Sequence, residues 1–145
     1  MTADRSSQSE TADPPFVLPR EMREQIVAHA RRDAPRECCG VIGGRAGRVE
    51  TLYPLTNLDR GTDFYRIDDV ELFQVYQRID AGGGEIVAIY HSHPVSPAYP
   101  SPTDVRLAAW PDAHYLICSL ADPEQPVLRA FRIVDGAIRE VALAD

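Results

Sequence analysis

Ile86-Val87-Ala88-Ile89-Tyr90-His91-Ser92-His93 begins with a continuous apolar run and ends in two histidines one residue apart. An apolar run of this length, entered from Gly82-Gly83-Gly84, reads as the central strand of a sheet, covered on both faces. Alternate strand side chains share a face, so His91 and His93 point the same way at the end of this strand. Two imidazoles on one face are a ready metal pair, although a chance His-x-His is common. A Pro-rich loop over 94–100 follows. Ser101-Pro102-Thr103-Asp104 then opens a short helix expected to reach about residue 110. An acid three residues after a serine, with proline first in the helix, is also an ordinary capping box.

The flanking pattern mixes strands and helices. Met22, Ile26 and Ala30 recur every four residues, which predicts an amphipathic helix over 19–33 with Pro35 just beyond it. Residues 16–18 suggest an edge strand. Residues 38–42 read as a strand, Gly43-Gly44 and Ala46-Gly47 as a turn, and 49–56 as a second strand. A third short strand is expected at 64–67. Asp68 or Asp69 caps a second helix whose apolar stripe is read as Val70, Phe73, Tyr76 and Ile79 or close neighbours. Beyond the histidines, 115–120 reads as a buried strand, and 127–134 with 137–142 as a hairpin turning at Asp135-Gly136. The class expected is α/β, a mixed β-sheet flanked by helices.

Composition narrows the partners. The chain has 145 residues, enough for one ordinary domain, expected over 16–145 behind a polar, disordered tail at 1–15. Its formal net charge of −7 argues against nucleic acid, which needs a basic face. Three cysteines, two of them adjacent, do not form a disulfide framework. Cys38, Cys39 and Cys118 lie in apolar strands and are expected to pack as small hydrophobes. No apolar stretch resembles a signal peptide or reaches membrane-spanning length, so the expected compartment is the cytoplasm, with no membrane partner.

With Asp104 as a third ligand beside His91 and His93, a tetrahedral zinc keeps one open position, as catalytic sites do. Such a site also accepts other divalent ions. A general base that is not a ligand is still needed. Glu37, just before the apolar Cys38-Cys39-Gly40, is the candidate, because partial burial there would raise its pKa. Ser101 can accept a hydrogen bond from a helix N–H and donate one to an oxyanion. His29 is expected to be solvated on the polar side of the first helix, and His114 to be structural. Tyr65, Arg66 and Tyr99 are candidates for holding an extended substrate, with Arg66 on the product's carboxylate.

Glu37, then His91-Ser92-His93-Pro94, then six residues, then Ser101 and Asp104 resemble the pattern of the JAMM (MPN-plus) metallopeptidases. The resemblance runs over about 16–141 and implies the cytidine-deaminase-like fold those domains share. It implies one Zn2+ per chain on His91, His93 and Asp104, with Glu37 activating water and Ser101 stabilising the oxyanion. Tyr90-His91-Ser92-His93, Ala98-Tyr99-Pro100-Ser101, Pro111-Asp112-Ala113-His114-Tyr115 and Arg132-Ile133-Val134-Asp135-Gly136 resemble a bacterial subgroup, the Mec-type peptidases of cysteine biosynthesis. Those act on a ubiquitin-like sulfur carrier protein with a C-terminal Gly-Gly tail and free cysteine from its adduct. The resemblance is equally compatible with a deconjugating isopeptidase, and with a homodimer. A metal-free MPN-type scaffold is the third reading; the intact ligand set speaks against it.

Overall fold

A computed structural model describes residues 13–145. Its elements run β1 (Phe16–Val17), α1 (Arg20–Asp33), β2 (Cys39–Arg45), β3 (Arg48–Leu55), α2 (Asp69–Ala81), β4 (Glu85–His93), α3 (Pro102–Leu107), β5 (His114–Ser119), β6 (Val127–Val134), β7 (Ala137–Val141) and β8 (Leu143–Ala144). Six strands form one sheet in the order β3-β2-β4-β5-β6-β7. Within this sheet β4 and β5 pair in parallel and the other neighbours are antiparallel, so it is mixed as expected. β1 and β8 pair in parallel as a separate two-stranded ribbon that ties the two ends of the described chain together.

Each face of the sheet carries a helix. On one face, Ile26 and Ala30 of α1 pack with Cys38, Ile42, Tyr90, Leu116 and Cys118. On the other, Val75 and Ile79 of α2 pack with Cys39, Val41, Ile89, Tyr115 and Ile117. The strand β4 lies between them, buried from Ile86 to His93, because its apolar run supplies both faces. The three thiols sit inside these clusters, and burial pushes Cys38 and Cys39 up to about 12 and Cys118 to about 11. They are packing groups, as expected.

Several expectations change. The turn between β2 and β3 is Ala46-Gly47 alone, with φ of 50° and 75°, the mirror-image turn that suits a two-residue hairpin. Gly43 and Gly44 stay inside β2, where a Cβ on Gly44 would lie 1.7 Å from the Arg48 carbonyl oxygen. Residues 64–67 form no strand; only an isolated bridge joins Asn57 and Ile67. The helix α3 stops at Leu107. The α2 stripe is rotated from the one read: Val75 and Ile79 are buried, whereas Val70, Phe73 and Tyr76 face solvent. His29 is buried rather than solvated, its Nδ1 2.8 Å from the Tyr90 hydroxyl and its Nε2 3.2 Å from Asp33. The expected disordered tail falls largely on residues 1–12, outside those described; Asp13, at its end, pairs with Arg139. Among the described residues no helix is long and apolar enough to cross a membrane.

Candidate active site

The carboxyl end of β4, beside its parallel neighbour β5, holds the histidine pair. His91 is paired with Cys39 of β2 and Ile117 of β5, and His93 with Ser119. Strand pairing, on both sides at His91 and on the β5 side at His93, therefore holds the two residues facing the α2 side of the sheet. His91 Nε2 and His93 Nε2 are 3.2 Å apart. Asp104 Oδ2 lies 3.1 Å from the first and 3.0 Å from the second.

The capping box places Asp104 there. Ser101 Oγ accepts from the Asp104 N–H at 3.0 Å, and Asp104 Oδ2 accepts from the Ser101 N–H at 2.9 Å. Helix capping and the ligand position are thus one arrangement, since the same oxygen faces the imidazoles. His93 Nδ1 is 2.7 Å from the Pro97 carbonyl, which can only accept. Nδ1 is therefore the donor, and the lone pair of a neutral ring falls on Nε2, towards Asp104.

The donor set fits a divalent metal. Zinc bonded to nitrogen and oxygen at about 2.0–2.1 Å in a tetrahedron spaces its ligand atoms about 3.3 Å apart. The three atoms found here are separated by 3.0–3.2 Å, and they form the metal-competent group among the described residues. Two imidazoles and a carboxylate also suit zinc chemically. Burial pushes the Asp104 carboxyl up, but its close contacts with the His91 and His93 rings outweigh it and hold it far below the usual range. Burial lowers His91. It acts the same way on His93, where the bonds to Asp104 and Pro97 prevail and raise it.

Glu37 precedes β2 and is only 4% exposed. Burial pushes its carboxyl up to about 8 against the opposing pull of His93, and its Oε1 has no hydrogen-bond partner. Two side chains hold its backbone. Ser92 Oγ accepts from the Cys38 N–H at 2.8 Å, and Asn57 Nδ2 donates to the Glu37 carbonyl at 2.9 Å. Ser92, between the histidines, faces the opposite side of β4 and so pins the segment bearing Glu37. The structure brings Glu37, His91, His93, Ser101 and Asp104 to one end of the sheet.

Tyr65 joins them, stacked on the His91 ring with centroids 4.6 Å apart. Arg66 is exposed beside it. Tyr99 is exposed and meets Phe131 edge-on at 5.5 Å. His114 is not at this site; it begins β5, opposite Ala88, and stacks on Phe16 at 4.4 Å. Asn57 and the pinning by Ser92 have no counterpart in the sequence reading. Ser92 reaches a backbone group 54 residues away and Asn57 one 20 residues away, links that no local pattern encodes.

Residues 19–134 match the family described as prokaryotic homologs of the JAB domain. The chain is 47% identical over 127 residues to the CysO-cysteine peptidase of Mycobacterium tuberculosis, covering 86% of this chain and 87% of that one. It is 38% identical over 109 residues to the desampylase of Haloferax volcanii, covering 70% and 78%. The solution structure of DSY2949 from Desulfitobacterium hafniense superposes with a TM-score of 0.79 at 38% identity, covering 88% of this chain and 90% of that one. AF2198 from Archaeoglobus fulgidus, a JAB1/MPN domain protein, shares the fold at a TM-score of 0.54 and 16% identity, covering 84% and 93%. A mixed sheet with a helix on each face, the Glu37 to Asp104 set at its end, and these matches agree: the chain belongs to the prokaryotic JAB-domain branch of the JAMM family.

Proposed function

We propose that this protein is a zinc-dependent peptidase that hydrolyses the amide bond at the C-terminus of a ubiquitin-like sulfur carrier and releases cysteine. The observation that carries the chemistry is the convergence of two Nε2 atoms and Asp104 Oδ2 within 3.2 Å, beside a buried carboxyl outside the ligand set. Support for the substrate comes from the mycobacterial relative, whose name specifies a CysO-cysteine substrate, at 47% identity. Release of cysteine from such an adduct would be a step of cysteine biosynthesis.

When bound, zinc would acidify a water molecule and polarise the scissile carbonyl. The chain's own groups do the rest. His91 and His93 present fixed Nε2 lone pairs, because their strand is paired on both sides and Pro97 holds the His93 ring. Glu37 accepts the proton of the attacking water and later delivers it to the amine nitrogen as the C–N bond breaks. Its burial suits both tasks, since a carboxyl raised towards neutrality is a better base than an ordinary one and still a usable acid. Ser101 Oγ accepts from the Asp104 N–H and keeps its own hydrogen to donate to the tetrahedral oxyanion.

A second reading has its own support. The relative at 38% identity is a desampylase, and an isopeptidase acting on ubiquitin-like conjugates would need the same residues. Metal analysis of purified protein tests the shared chemistry. About one zinc per chain, with peptidase activity lost to a chelator and restored by zinc, is expected; a chain that cannot be loaded with metal would overturn both readings. Product masses from an isopeptide-linked conjugate and a carrier–cysteine adduct, compared at equal concentration, separate the two.

A further inference from the structure

We infer that Asn57 is a positioning residue that couples the base Glu37 to the segment 58–67 lying over the metal site. This rests on the reading of Glu37 as the base. Asn57 follows the end of β3 and is 5% exposed. It is a polar side chain buried with both ends of its amide used. Its Nδ2 donates to the Glu37 carbonyl at 2.9 Å and to the Phe64 carbonyl at 3.5 Å. Its Oδ1 accepts from the Asp59 N–H at 2.8 Å and the Arg66 N–H at 2.9 Å.

The four partners belong to two structures. One is the strand entrance that carries Glu37, already pinned on its other side by Ser92. The other is a loop that folds back on itself, with the Leu58 N–H donating to the Arg66 carbonyl at 2.8 Å. That loop ends in Tyr65, stacked on His91. The amide geometry reverses the loop from both ends, at Asp59 and at Arg66, and attaches the result to Glu37. Arg36 reinforces the attachment from the other side: its Nη2 donates to the Asn57 carbonyl at 2.6 Å and its Nε to the Asp59 carbonyl at 3.2 Å.

The arrangement is specific to an amide. A carboxylate would keep the acceptor but lose the donor to Glu37, and a shorter side chain would lose both. None of these bonds touches His91, His93 or Asp104. Asn57 therefore bears on the base and on the ring over His91, and leaves the metal ligands alone. The loop and the base move as one body, so that a substrate segment laid against Tyr65 is in register with Glu37.

A cycle of four proteins tests this: wild type, Asn57→Ala, Glu37→Gln and the double variant, each loaded with zinc. Asn57→Ala is expected to retain one metal per chain while kcat falls at least about tenfold, and to cost nothing further in the Glu37→Gln background. Losses that multiply, wild-type turnover in Asn57→Ala, or loss of metal with the activity would overturn the inference. If Asn57→Ala does not fold, Asn57→Asp takes its place with the same expectations. Amide hydrogen exchange is the second readout and is independent of turnover. Segment 58–67 and residues 37–39 are expected to exchange faster together in the variant; acceleration of only one, or of neither, counts against the coupling. An inactive wild type bears on the peptidase reading, and the exchange result then still decides the role of Asn57.

Discussion

Glu37 and Asp104 are both buried carboxyl groups, yet their surroundings drive them in opposite directions. Asp104 lies against two imidazole Nε2 atoms and accepts from a backbone N–H, which hold its carboxyl far below the usual range and keep it ionised. Glu37 has an unpartnered oxygen, and burial pushes it up to about 8. One carboxylate suits a metal, the other a proton. Glu37→Gln is therefore expected to bind zinc as the wild type does and to lose about 100- to 10,000-fold in kcat. Asp104→Ala is expected to lose zinc affinity by more than the about 10–100-fold that removing an outer hydrogen-bond partner costs. Metal titration alongside turnover checks both. Retained zinc with wild-type turnover in Glu37→Gln would refute its role. His114 gives a pH signature away from the site. Burial, then Arg132, depress it from the ordinary 6.5 to about 4, so the folded protein favours the neutral ring. Its contribution is complete above about 6.5 and is lost as pH falls towards 4. Denaturant unfolding at pH 7 and pH 4.5 is expected to show wild type losing of order 2 kcal/mol more than His114→Gln, after allowance for partial exposure; equal losses would contradict the assignment.

At the scale of elements, β4 does most to position the site, and it is also the element most legible in the sequence. Ile86 to Tyr90 reads as a strand covered on both faces, and the alternation then puts both histidines on one face. The capping box was equally legible, but not that its acid oxygen would serve helix and metal site together. The α2 stripe misled, because Val70, Phe73 and Tyr76 share helical spacing with Ile79 while the face that meets the sheet is set by Val75 and Ile79. Apolar period alone does not say which of two overlapping stripes is covered. His29 was misplaced for a related reason: its partner Tyr90 is 61 residues away. Gly40 shows how closely β2 and β4 are fitted. A Cβ there would lie 2.3–2.4 Å from the Tyr90 ring, which is fully buried and held by His29. Gly40→Ala is expected to destabilise the protein by about 1–3 kcal/mol in urea unfolding, with the Tyr90 ring displaced.

For the whole molecule, six strands with a helix on each face serve to hold one end of β4, β5 and the entrance of β2 together. Glu37, His91 and Asp104 come from three separate elements, and the sheet order brings β2 and β5 against the two sides of β4. A surface cavity of about 660 Å3, lined by Phe16, Arg48, His114 and Arg132 among others, contains none of these residues. Cleavage at a carrier tail does not require a deep pocket, since an extended chain can lie along an edge and meet the metal from the surface. The fold class was open to sequence reasoning from the spacing along single elements, and so were the histidine pair and the capping box; Glu37 joined them only through the family resemblance, because it lies at the entrance of a separate strand. The loop over the site was not legible, because Asn57 builds it from contacts that exist only in the folded chain. The central claim is most directly tested by mass spectrometry of a ubiquitin-like carrier ending in Gly-Gly-Cys, incubated with the zinc-loaded protein and, in parallel, with Glu37→Gln. Loss of a single cysteine residue mass with the wild type and none with Glu37→Gln is the predicted result; an unchanged carrier in the presence of the zinc-loaded wild type, or equal cleavage by the two proteins, would contradict it.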